Sequence, residues 1–248
     1  MVRRGQHTVE DGLATVLRPG VSPSDGSERE YLDVLGEREA IGSHWGQQVF
    51  RSRLLPFVYE RIWRPLVARL FFFGWGVKAG AERQMTMDRL AIEPGDAVLD
   101  VGCGTGNYTR YLAAATGNGL VVGIDASEAM VAGAARRGGA SNLTYLRGDA
   151  SELPFRDGQF DAVCCVGVLH MLDRPQAALE EMVRVLAPRG RLVVVATCAR
   201  KAGEDRNRHG ITIFGREELT GALAESGLQV DQLVLRRAQF VTGRRKGE

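Results

Sequence analysis

The chain has 248 residues, 44% of them hydrophobic and 25% charged, and its 32 basic residues against 30 acidic ones leave a formal net charge of +2. That profile is of a soluble globular protein with enough chain for a continuous core, and it excludes a disulfide-dense scaffold, a fibre and a wholly disordered chain. The near balance of charge also removes the general case for a nucleic-acid binder, which needs a surplus of Lys and Arg to meet phosphates.

Only Lys78, Lys201 and Lys246 among the basic residues are lysine. So strong a preference for arginine points to a GC-rich bacterial genome and carries no chemistry. Cys103, Cys164, Cys165 and Cys198 have apolar neighbours and no metal-ligand spacing. Reduced thiols in a cytoplasmic protein without a metal site are therefore expected. The first residues lack the apolar core of a secretory signal, and the most hydrophobic stretch, 62–77, is interrupted by Arg64, Pro65 and Arg69 and is too short to span a bilayer.

In chain order, residues 1–26 are polar, with Pro19 and Pro23, and read as a flexible lead-in. Over 27–78 the apolar residues Val49, Phe50, Leu54, Phe57, Val58, Ile62 and Leu66 recur at helical intervals, so this segment reads as a helical extension broken at Pro56 and Pro65. From 79 to 248 the texture is strand, turn, helix, repeated. Strands are predicted at 97–101, 120–124, 143–147, 160–166 and 191–197, and helices at 107–115, 128–137, 175–186 and 216–226. Two more strands over 230–243 turn at Arg236 and Arg237. The alternation implies an α/β fold, a doubly wound, mostly parallel sheet of seven strands with crossover helices and a helical N-terminal lid.

The strongest local signal is VLDVGCGTGNYTR, where a strand carrying Asp100 runs into Gly102, Gly104 and Gly106 and then a helix. Alternating glycines let a backbone turn sharply and approach a ligand closely, with helix-start amides aimed at it. Asp125 then ends the second strand, Asp149 follows the third, and Asp161 opens the fourth. In an open α/β sheet the first three lie beyond the carboxyl ends of the strands, at the switch point where ligands bind. A carboxylate at Asp125 suits a ribose diol, and one at Asp149 suits an exocyclic amine.

With these motifs in this order, residues 79–245 resemble the class I S-adenosylmethionine (SAM) dependent methyltransferases, in particular the small-molecule branch similar to ubiquinone and menaquinone biosynthesis enzymes. The resemblance implies SAM as cofactor, S-adenosylhomocysteine as product and a Rossmann-like sheet. It implies that Gly102, Cys103 and Gly104 line the methionyl end, with Asp100 holding the amino group directly or through water. Asp125 would take the ribose hydroxyls, with Ala126 and Met130 beside the adenine. Asp149 would meet the adenine amine, the Ala150 amide a ring nitrogen, and Val166 the sulfonium side. Asp161, at the start of its strand, is structural.

Two other classes share parts of this pattern. A nicotinamide-dependent oxidoreductase would have the glycine loop and the second-strand acid, but Asn107 stands where its fingerprint needs glycine, and Asp149 is unexplained by it. A non-catalytic SAM-binding module would keep the whole motif set.

For the methyl acceptor, the residues after the fourth strand, CCVGVLH, carry none of the tetrads or nucleophiles of the nucleic-acid and protein-arginine methyltransferases. A small, hydrophobic or lipid-like molecule is what remains. His170 is the candidate general base, set against a packing or acceptor-positioning role, and His209 is a second candidate. Nine aromatic residues lie between Trp45 and Trp75, interleaved with Arg51, Arg53, Arg61, Arg64 and Arg69. That stretch reads either as an amphipathic lid packed on the sheet or as an acceptor pocket that can reach a membrane surface peripherally. A homodimer is compatible with the composition.

Overall fold

The computed structural model describes residues 12–21, 30–36, 80–201, 207–208 and 211–247. The extension expected over 27–78 therefore falls largely outside the described residues, as does His209.

Five strands at the predicted places build the centre: β2 (Val98–Val101), β3 (Val121–Asp125), β4 (Leu143–Arg147), β5 (Phe160–Val166) and β6 (Leu186–Thr197). The last begins earlier than predicted because Leu186 already pairs with Phe160, and the ladder shifts register before Ala162 meets Arg191. Between them lie α2 (Asn107–Thr116), α3 (Glu128–Arg136) and α4 (Pro175–Val185), preceded by α1 (Ala81–Leu90). A small hairpin of β7 (Asn207–Arg208) and β8 (Ile211–Thr212) precedes α5 (Glu218–Glu225). The antiparallel strands β9 (Leu228–Leu235) and β10 (Ala238–Arg245) close the chain, turning at Arg236 and Arg237 as predicted, with Arg236 left-handed at φ 56°.

Among the described residues the sheet has eight strands rather than seven, with β1 (Leu32–Asp33) at one edge, in the order β1-β4-β3-β2-β5-β6-β10-β9; only the β6–β10 and β10–β9 pairs are antiparallel, so β10 alone runs against the rest. The added strand, β1, pairs in parallel with Leu146 and Arg147. Two residues carry no alternation to read. What fixes them is tertiary: Asp33, buried, pairs with Arg147 at 3.0 Å and caps the amides of Leu35 and Gly36 at 3.0 Å each.

Strand alternation divides the core in two. Leu99, Val101, Val122, Ile124, Leu146, Val163, Cys165 and Val194 face one side and pack with Leu179, Met182, Leu219 and Leu223 of α4 and α5. Val98, Val121, Ala162, Cys164 and Val193 face the other and pack with Leu90 of α1 and Leu112 of α2. Cys164 and Cys165 are thus buried packing residues on opposite faces of one strand.

The flexible lead-in expected over 1–26 is not what residues 12–21 form. Residues 12–16 are helical, and Leu13, Val16 and Leu17 are buried in the first core layer. Spacing of three and four residues puts them on one helical face, a period too short to stand out among polar neighbours. Leu17 bridges to Phe155, and the Arg18 amide donates to the Pro154 carbonyl at 2.9 Å. Leu17→Ala is therefore expected to cost about 2–4 kcal/mol through the cavity it leaves, read as a lower urea midpoint with unchanged slope; a flexible lead-in predicts no change.

At the base of the sheet, the Asp161 carboxylate accepts from the Ala97 amide at 2.9 Å, tying the starts of β5 and β2 together. Arg191 pairs with Asp96 there and donates to the Ala91 carbonyl at the end of α1. Helix α1 consequently runs from the opposite, carboxyl-end rim down to the base, over roughly 15 Å at helical rise.

Candidate cofactor and active site

The site is built where β2, β3, β4 and β5 end side by side. After Val101 the chain turns back through Gly102–Gly106, and the Gly102 and Cys103 amides both donate to the Ile124 carbonyl, at 2.8 and 3.0 Å. The loop is thereby stitched to the neighbouring strand. Gly104 sits at φ 55°, and a Cβ placed on it would meet nothing within 4 Å. Gly106, at φ 77°, is the opposite case: its Cβ would lie 2.2 Å from the Tyr145 hydroxyl oxygen. The loop therefore presents a bare backbone outward at Gly104 and lies hard against Tyr145 at Gly106.

Asp125 holds that loop from the next strand. One carboxylate oxygen accepts from the Gly104 amide at 2.9 Å and the other from the Ser127 amide at 2.8 Å. Ser127 caps α3, its hydroxyl oxygen accepting from the Met130 amide. Burial raises the Asp125 carboxyl above its ordinary value, and the Ser127 and Gly104 amides oppose the shift. Each oxygen still has a lone pair that these amides do not take, which is the capacity a vicinal diol needs.

Asp149 is brought next to Asp125 through the backbone: the Gly148 amide donates to the Asp125 carbonyl at 3.1 Å. Its Oδ1 accepts from the Ser151 amide at 2.7 Å, and its Oδ2 faces Arg174 at 3.2 Å. Ala126, Met130 and Ala150 flank these two carboxylates in sequence; Met130 is buried and the other two are partly exposed. The same rim therefore carries the carboxylates and apolar residues predicted for the adenosine half.

Asp100 sits deeper than the others. Only 2% exposed, its carboxylate accepts from the Thr109 hydroxyl at 2.8 Å and from the Cys164 thiol at 3.5 Å. It locks the first turn of α2 onto β2 beneath the loop. Cys103 is buried in the cluster of Tyr31, Val131, Ala134 and Tyr145. Burial, with Asp125 and Asp100 nearby, pushes its thiol well above the ordinary value, so it stays protonated.

On the β5 side Val166 is half-buried at the strand end, and Gly167 turns the chain at φ 72° with nothing near its open side. Val168 packs against the back of Gly102, where a Cβ would meet it at 2.5 Å. A 3₁₀ turn, Leu169–Met171, then places His170 inward, 4% exposed. Burial lowers its imidazole to about 4. At neutral pH it is an uncharged hydrogen-bonding group and a weak base. Its folded value lies below its unfolded one, so stability is fullest above pH 6.5 and falls as pH drops from there to about 4, by about 3 kcal/mol in total. His170→Phe should flatten that acid limb in urea titrations at pH 7 and pH 5; an unchanged slope would show that the imidazole is not held neutral.

Sequence reading missed four residues of this neighbourhood, Thr109, Tyr31, Arg174 and Ser127. Thr109 reaches Asp100 only because the loop folds back. Tyr31, whose hydroxyl donates to Glu128 at 3.0 Å, comes from 97 residues away. Arg174 reaches Asp149 across the rim. Only Ser127 carried a local signal, a capping residue just before a helix.

The site tests well against an adenosyl cofactor. A loop backbone open at Gly104 admits a ligand at close range, Asp125 offers two oxygens for hydroxyls, and Asp149 offers an acceptor for an amine. Comparison with known proteins agrees: a family model described as a methyltransferase domain matches residues 99–194. The stretch that matches is the one whose motifs resemble the class I SAM-dependent methyltransferases. The match runs from β2 into β6, leaving the N-terminal segments and the closing hairpin outside it.

Among curated relatives, demethylmenaquinone methyltransferase of Beutenbergia cavernae is 44% identical over 113 residues, covering 45% of this chain and 45% of that protein. The chain thus spans about half the length of the curated relatives it matches. Among solved structures, the cyclase SpnF superposes with TM-score 0.63 at 24% identity, over 79% of this chain and 97% of that one. A SAM-dependent methyltransferase from Aquifex aeolicus gives TM-score 0.58 at 24% identity, over 76% and 97%. These two likenesses establish the fold alone, and the cyclase shows that this fold does not by itself name a reaction.

Proposed function

We propose that the chain is a bacterial, cytoplasmic enzyme that transfers a methyl group from SAM to a small hydrophobic acceptor of quinone-like or other lipid-like character. The observation that carries the reading is the Asp125 carboxylate bonded to the Gly104 amide at 2.9 Å beside a loop with open space before it. When bound, SAM supplies a methyl already activated by its sulfonium. What the protein's own groups contribute is alignment and exclusion of water.

In this reading Gly102, Cys103 and Gly104 border the methionyl chain through their backbone, and Asp100 acts on the amino group through water from beneath the loop. Asp125 orients the ribose, Ala126 and Met130 flank the adenine, Asp149 accepts from its amine and the Ala150 amide donates to its ring. Val166 borders the sulfonium side. His170, neutral and buried, orients the acceptor rather than carrying a proton away.

The acceptor side is assigned to the segment rich in aromatic residues and arginine. Support comes from its described flanks. Gly36 leaves β1 at the carboxyl-end rim, its carbonyl accepting from Arg147 at 2.9 Å. Gly80 starts α1 at that same rim, where Glu82 accepts from the Tyr108 hydroxyl at 3.0 Å, one residue into α2. Both described flanks thus lie at the mouth of the site. Among the described residues no helix is long and apolar enough to cross a membrane. We accordingly place any contact with a lipid phase at the surface, and liposome flotation with and without acidic lipid tests it.

The deciding experiment has two steps. Calorimetry with SAM, S-adenosylhomocysteine and NAD(P) should give binding of the first two only; stabilisation by NAD(P) alone would overturn the assignment. Incubation of the enzyme with methyl-labelled SAM and short-chain demethylquinols, followed by mass spectrometry, should then give a labelled product. Cofactor binding without transfer to any acceptor in a broad screen would favour a non-catalytic module.

A further inference from the structure

Asp149 is bound from two directions. Its Oδ1 is fixed locally by the Ser151 amide at 2.7 Å, and its Oδ2 is met from across the rim by Arg174 at 3.2 Å. Arg174 is built into a rigid platform: its carbonyl accepts from the Ala178 amide at 3.1 Å, Pro175 follows at the first helical position, and Ala178, Leu179 and Met182 anchor α4 in the core. The guanidinium stands at the end of the β5 to α4 connection that also carries His170. The Arg174 side chain is 49% exposed and that of Asp149 21%. A pair that open contributes little to folding, so its placement calls for another account.

We propose that Arg174 is a positioning residue that holds the Asp149 carboxylate in the rotamer that accepts from an exocyclic amine, and so sets the preference of the site for an adenine over a base bearing a carbonyl at that place. This rests on the assignment of Asp149 to the adenine amine made above. The chemistry is that of a fixed acceptor. A carboxylate pinned on both oxygens cannot rotate away from a mismatched partner, so a carbonyl opposite it faces two lone pairs and leaves both groups unpaired. A carboxylate pinned on one oxygen only can turn aside, and its discrimination relaxes.

The test measures binding to the whole chain by calorimetry, with S-adenosylhomocysteine and its deaminated analogue, S-inosylhomocysteine, as probes. The unsubstituted protein should prefer the adenosyl compound by about 10- to 100-fold, the range of one hydrogen bond to a charged group. Arg174→Ala should weaken the adenosyl compound about 5- to 20-fold, leave the inosyl compound nearly unchanged and thereby collapse the ratio. Arg174→Lys, a point charge without the planar fork, should fall between. The thermal midpoint should stay within about 2 °C, as for an open ion pair.

Asp149→Asn separates the two failures. If Asp149→Asn loses adenosyl binding while Arg174→Ala keeps both affinity and ratio, the role given to Arg174 is wrong and the cofactor assignment stands. If Asp149→Asn leaves adenosyl binding intact, the assignment of Asp149 itself falls and the role of Arg174 with it.

Discussion

Asp125→Ala is expected to weaken S-adenosylhomocysteine binding by about 100- to 10,000-fold while lowering folding stability far less. Two hydrogen bonds from ribose hydroxyls to an ionised acceptor are lost, each of about 1.5–3 kcal/mol. The Gly104 and Ser127 amides, held at 2.9 and 2.8 Å, lose their acceptor as well, so the loop that faces the ligand loosens. Against this stands the cost of the buried charge. The Asp125 carboxyl is raised above its unfolded value by burial. Its contribution to stability is therefore complete at low pH and lost as pH rises through the folded value, so at neutral pH the ionised group opposes folding. Removing it relieves that penalty and offsets part of the loss of the two amide bonds. Asp125→Asn should not rescue binding, because its NH₂ would face one of two amide donors. Calorimetry beside urea denaturation at pH 7 checks the split. A fall in stability as large as the fall in affinity would mean that Asp125 is a structural cap.

The parts of this protein legible in its sequence are those written locally. A strand such as Leu143–Arg147 or Phe160–Val166 announces itself by β-branched apolar runs between turn residues, and the Arg236 and Arg237 turn by the break between two such runs. Asp125 and Asp149 were legible because a parallel sheet places every strand end on one rim, so order along the chain is enough to assemble them. What was not legible depends on reach. Leu13, Val16 and Leu17 matter through Phe155, far along the chain, and β1 exists because Asp33 meets Arg147. The depth of Asp100 was equally hidden, since Thr109 closes on it only after three glycines have turned the chain. Burial decides His170 too: a histidine after the fourth strand suggests a base, and only the packed turn at Leu169–Met171 lowers its imidazole to about 4.

The glycine loop gives the second large effect, as a contrast between two positions of identical residue type. Gly106→Ala puts a methyl 2.2 Å from the Tyr145 hydroxyl oxygen, 2.8 Å from the ring carbon bearing it and 2.9 Å from the Arg110 guanidinium, at φ 77°. Tyr145 is 4% exposed and wedged among Cys103, Val131 and Ala134, so the ring has nowhere to move. Left-handed strain of about 1–2 kcal/mol and overpacking of about 1–3 kcal/mol add to a loss of roughly 2–5 kcal/mol in stability. Gly104→Ala, at φ 55°, bears only the strain, because its methyl enters open space. That space is the ligand's in the proposed reading, so Gly104→Ala should keep a cooperative fold within about 2 kcal/mol of the parent and lose S-adenosylhomocysteine binding by about 10- to 100-fold. Adding Tyr145→Phe to Gly106→Ala removes the hydroxyl contact but leaves the ring carbon at 2.8 Å. Partial recovery of stability, and none in the Gly104 variant, would locate the two effects on opposite sides of one loop; unimpaired binding by Gly104→Ala would remove the loop from the cofactor site.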